Sequence, residues 1–81
     1  MKTVNEIKHV KIRSNYAVGL AYKGEGIIHI DTRLVGFNHL ETLIHEILHI
    51  QNPKWSEIKV IGHSKEIATL LWQQGYRKVD I

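Results

Sequence analysis

Residues 40–52 of the chain read LETLIHEILHIQN, and His45, Glu46 and His49 within that run can do chemistry together. In a helix, positions i and i+4 lie one above the other, so the two imidazoles can each place a nitrogen at about 2.0–2.1 Å from a single zinc ion. Glu46 then stands beside the metal rather than on it. From there a carboxylate can take a proton from a water that the metal has acidified, which prepares that water to attack a carbonyl. An ordinary solvated helix face would carry lysines or arginines, but between residues 42 and 50 the only charged side chain is Glu46.

On a helical wheel, Leu40, Leu43, Ile44, Ile47, Leu48 and Ile50 share one broad apolar face that packs on a sheet. Glu41, His45, His49 and Asn52 fall opposite, with Glu46 at their edge. A catalytic zinc site usually takes three protein ligands and leaves one position for water. With no cysteine in the chain, the third ligand must be another histidine or a carboxylate, and the candidates are Glu57, His63 and Glu66. A continuous second helix sets Glu57 at the end of an inward stripe with Val60, Ile61, Ser64, Ile67, Ala68 and Leu71, leaves His63 at the flank and turns Glu66 nearly opposite. That favours Glu57.

The elements that must position these groups are short. IKHVKIR (7–13), YAVGLAY (16–22) and IIHI (27–30) alternate and are separated by SN and KGEG, which predicts three strands in a meander. DTRLVGFN leaves the sheet, with Asn38 as the expected N-cap of a helix over 39–51 that ends before Pro53. A second helix is expected from the N-cap Ser56 to about Gln74, stopped by Gly75. The fold class is therefore α+β: a short three-stranded antiparallel or mixed sheet followed by two helices.

The 81 residues make one domain, 1–81, whose core alone leaves it marginally stable, so that a bound metal would help it. Forty-three per cent hydrophobic residues and a single proline exclude a disordered chain, and the missing cysteines exclude a disulfide framework. Without an apolar leader or a long apolar run, the chain reads as complete and cytoplasmic, with no membrane partner. Eleven basic against eight acidic residues give +3, scattered rather than clustered, which supports nucleic-acid binding only weakly.

LETLIHEILHI resembles the active-site helix of zincin metallopeptidases, and IIHIDTRLVGFNHLETLIHEILH resembles the strand, loop and helix of SprT-like and other minimal zincins. The resemblance covers about half the chain, from residue 27 to the end of the first helix. It implies a zinc-dependent peptidase acting on a peptide or protein, with His45 and His49 as ligands and Glu46 as general base. A glutamate on the following helix, here Glu57, is the gluzincin arrangement; Trp55 stands where a metzincin would place its third histidine. GHSKEI (62–67) is similar to the SprT-like segment that carries a third histidine, here His63, which implies a break at Gly62 with a helix starting after it; it has Ser64 and Ile67 where a glycine and an aromatic are common. The implied substrate lies extended along an edge strand at residues 28–31. The alternative function is a zinc-stabilised binding module with the same fold and little activity, possibly associated with DNA. His29 and Asp31 are expected on a solvated strand face, or else lining the cleft or fixing a ligand imidazole from behind. Tyr22 and Tyr76 are given no role, and Trp55 and Trp72 are expected to pack in the core or between the helices.

Overall fold

The structure is a computed structural model that describes residues 2–13 and 17–79. Its elements are β1 (Glu6–Val10), β2 (Gly19–Tyr22), β3 (Ile27–Asp31), α1 (Gly36–Gln51) and α2 (Glu57–Gln73), a three-stranded mixed sheet followed by two helices. The expected SN turn and Tyr16 lie outside the described residues.

The strand order is β1-β3-β2, which corrects the meander. β3 is central, parallel to β1 and antiparallel to β2. The reason is visible in the side chains. Ile28 and Ile30 of β3 are fully buried, whereas β1 is mostly exposed and β2 is wet at Leu20 and Tyr22, so the most apolar strand takes the doubly flanked position. The β2–β3 hairpin closes at Gly26, whose φ of 67° favours glycine, with the Glu25 and Gly26 amides donating to the Tyr22 carbonyl.

Asp31, at the end of β3, is buried rather than solvated. It accepts hydrogen bonds from Arg33 Nε (2.9 Å), Arg33 Nη2 (2.7 Å), the Arg33 amide (2.8 Å) and the Ile12 amide (3.2 Å). The side-chain hydrogen bonds of Arg33 hold its carboxyl far below the usual carboxylate range. Its burial is therefore compensated, and the bond to Ile12 ties the crossover segment to the end of the central strand.

α1 begins at Gly36, before the expected cap, and Asn38 sits in its first turn. The chain rounds the corner on Gly36, with φ of 60°, so the backbone enters the helix without a side-chain cap on Val35. α1 lies across β2 and β3, and Ile50 joins Ile28 and Ile30 in the core, flanked by Ala21, Leu34, Leu43 and Ile47. His9 and His39 approach to 2.9 Å between their Nε2 atoms and pin β1 to α1.

α2 is continuous through Gly62, and it starts where expected: the Ser56 hydroxyl accepts from the Lys59 amide at 3.2 Å. It packs on α1 through Val60, Ser64 and Ala68. Trp72 meets Phe37 edge to face at 5.6 Å, an inter-helix contact. No helix among the described residues is long and apolar enough to cross a membrane.

Candidate metal centre

The turn between the helices brings three donors together. Asn52 ends α1, its amide donating to the Leu48 carbonyl at 2.8 Å, and the Trp55 amide donates to the Asn52 carbonyl at 3.0 Å. α2 then starts beside the end of α1, and Glu57, its first residue, reaches back to the histidines. Its Oε1 lies 2.7 Å from His45 Nε2 and its Oε2 lies 3.2 Å from His49 Nε2. The two imidazole Nε2 atoms are 3.2 Å apart. One ligand atom from each of the three residues can be chosen so that all lie within 4.8 Å of one another.

Nitrogen and oxygen ligands at about 2.0–2.2 Å around one tetrahedral zinc stand roughly 3.3 Å apart, so these separations fit a single ion after small side-chain adjustments. The donor set, two imidazoles and a carboxylate, suits zinc chemically. Burial pushes the His49 imidazole below its ordinary pKa, with the Glu57 charge opposing, a shift towards the neutral form that a metal ligand must take. His49 Nδ1 is buried without a hydrogen-bond partner. Among the described residues no carboxylate therefore holds that ring from behind, and Asp31, occupied by Arg33, is not its partner.

Glu46 is not part of this three-donor group. It is 8% exposed beneath β2, on the floor of a cleft of about 700 Å³ that His45, His49 and Glu57 also line. Burial raises its carboxyl pKa; the neighbouring His45 opposes this and Glu57 adds to it.

His63 is exposed and lies against Trp55, ring centroids 4.8 Å apart, outside the ligand group. Glu66 is exposed and does not line the cleft. The continuity of α2 through Gly62 accounts for both positions. His29 is half-buried in an edge-to-face contact with Tyr22 at 5.0 Å, and neither it nor Tyr22 nor Tyr76 lines the cleft.

The strand at the rim is β2, not residues 28–31, because both sides of β3 are paired. The Asp31 amide donates to the Val18 carbonyl at 2.9 Å, and the alternation this sets makes Leu20, opposite His29, point its amide and carbonyl at β3. Gly19 and Ala21 consequently turn theirs outward, along an edge that no strand among the described residues pairs with. Gly19 and Lys23, both lining the cleft, were not singled out from the sequence; only the strand order reveals that β2 is the rim. No family model, curated protein or solved structure matches the chain.

Proposed function

We propose that the chain is a zinc-dependent metallopeptidase, with His45, His49 and Glu57 holding the ion and Glu46 acting as general base. The observation that carries this reading is the convergence of the three donors, from two helices, beside a separate buried carboxylate in one open cleft. A zinc ion held there supplies Lewis acidity and a readily ionised water. Glu46, whose pKa is raised by burial, takes the proton from the attacking water and returns it to the leaving amine. The outward amides and carbonyls of Gly19 and Ala21 offer an extended peptide a strand to pair with, which sets its backbone along the cleft. His45 and His49 are fixed by one turn of α1, and Glu57 by the capped start of α2, so the ligands sit on rigid elements.

The test compares the wild type with Glu46→Gln for zinc content and for hydrolysis of an unfolded protein substrate. The expected result is equal zinc in both and turnover only in the wild type. Loss of zinc in Glu46→Gln would make that residue a ligand. Zinc without turnover in the wild type would instead favour a metal-stabilised binding module, a reading in keeping with the small apolar core of Ile28, Ile30, Ile50, Val60 and Ala68.

A further inference from the structure

Gly19 opens β2 in an extended conformation that any residue adopts, so its backbone does not require glycine. Glycine weakens a strand, and in a strand it often marks a site where another group approaches closely. Here the groups are Glu46 and, one turn before it on α1, Thr42. A Cβ at Gly19 would stand 2.8 Å from Glu46 Oε2, 3.1 Å from Glu46 Cγ and 2.8 Å from Thr42 Cγ2, well inside ordinary carbon contact distances. The bare Cα of the rim strand therefore rests on the carboxylate and on the turn of α1 that precedes it. The same residue presents its amide and carbonyl to the edge that no strand among the described residues pairs with.

We propose that Gly19 is the positioning residue for Glu46. Its missing side chain sets the height of β2 over α1, and with it the spacing between the buried carboxylate and the backbone that an extended ligand would pair with. The contact stands on the geometry alone; its consequence for turnover rests on the peptidase reading.

The experiment is a set of melting curves and rate measurements on the full chain, with zinc and after chelation. Gly19→Ala is made in the wild type, in Glu46→Ala and in Thr42→Ser. Overpacking at this site should lower the melting temperature by about 5–15 °C in the wild-type background. The loss should shrink by about half or more in Glu46→Ala and in smaller part in Thr42→Ser, because the added Cβ meets both side chains. If Gly19→Ala fails to fold, folding restored by Glu46→Ala supports the proposal equally. An equal loss in all backgrounds, or relief by Thr42→Ser alone, would overturn it. For the rates, Gly19→Ala should keep zinc, lower kcat by about 10- to 100-fold and change KM by less than about threefold. A raised KM with unchanged kcat would show that Gly19 serves only the ligand backbone, which also overturns the proposal. A wild type inactive on every substrate would refute the peptidase reading, while the melting cycle would still decide the Gly19–Glu46 contact.

Discussion

Replacing Gly62 by alanine tests the feature on which the ligand set depends, the continuity of α2. Gly62 has no left-handed backbone and an added Cβ meets nothing within 4 Å, so the substitution adds neither strain nor a clash. What remains is the helix preference, about 0.4–1 kcal/mol in favour of alanine, arising mainly from the reduced freedom of the unfolded chain. For a domain of this size each kcal/mol moves the melting temperature by roughly 4–8 °C, which predicts a rise of about 2–8 °C. Thermal melting by far-ultraviolet circular dichroism measures it, with Gly26→Ala as the opposite control. At that position φ is 67° and an added Cβ would strike the Thr3 carbonyl, so the melting temperature should fall. A lower melting temperature in Gly62→Ala would refute the reasoning, because it would mean that α2 breaks at that residue. The break would free His63 to turn towards His45 and His49 and would displace Glu57 from the ligand set.

Zinc affinity in Glu57→Ala, measured by competition with a chelating dye, should fall at least about tenfold, while His63→Ala and Glu66→Ala change it little; tight binding in Glu57→Ala would overturn the assignment. Asp31→Asn should lower the melting temperature at neutral pH, since Arg33 and the Ile12 amide lose the carboxylate they bind. The Asp31 carboxyl pKa is depressed in the fold, so its stabilisation is fully present above the unfolded value, about pH 4, and is lost as the pH falls through the folded value. The gap between the two proteins should therefore narrow in acid; a gap independent of pH would show that the carboxylate charge contributes nothing.

Local signals in the chain explain the parts of the fold that were legible. Ser56 announces α2 because its hydroxyl can satisfy only a nearby amide, and it does so at Lys59. The spacing of His45 and His49 is a property of the helix itself, and Glu57 follows from the wheel once α2 is unbroken. The strand order was not legible, because pairing is settled by which strand has two apolar flanks to fill, a long-range comparison. Asp31 shows the same limit on a smaller scale. Alternation placed it on a wet face, but Arg33, two residues on, supplies a fork that makes burial tolerable. Glu46 fell at the edge of the wheel, and its burial depends on Gly19, distant in sequence, passing directly over it.

These dependencies meet in the contact between the helices. Few apolar side chains among the described residues are fully buried, and those of α2, Val60 and Ala68, face α1 along a single seam. The N-terminal end of that seam is closed by polar groups, Glu57 against His45 and His49, where a hydrophobic core would place aliphatic residues. On the proposed reading an ion bound there would join α1 to α2 directly, so its binding free energy would add to the stability of the helix pair. Chelation should accordingly loosen the start of α2 before it disturbs the sheet, whose core is formed by Ile28, Ile30 and Ile50 without help from the ligands. Hydrogen exchange would read this as protection lost first at the amides of residues 60–64, with those of β3 retained. Simultaneous loss in both would mean that the site and the sheet unfold as one unit.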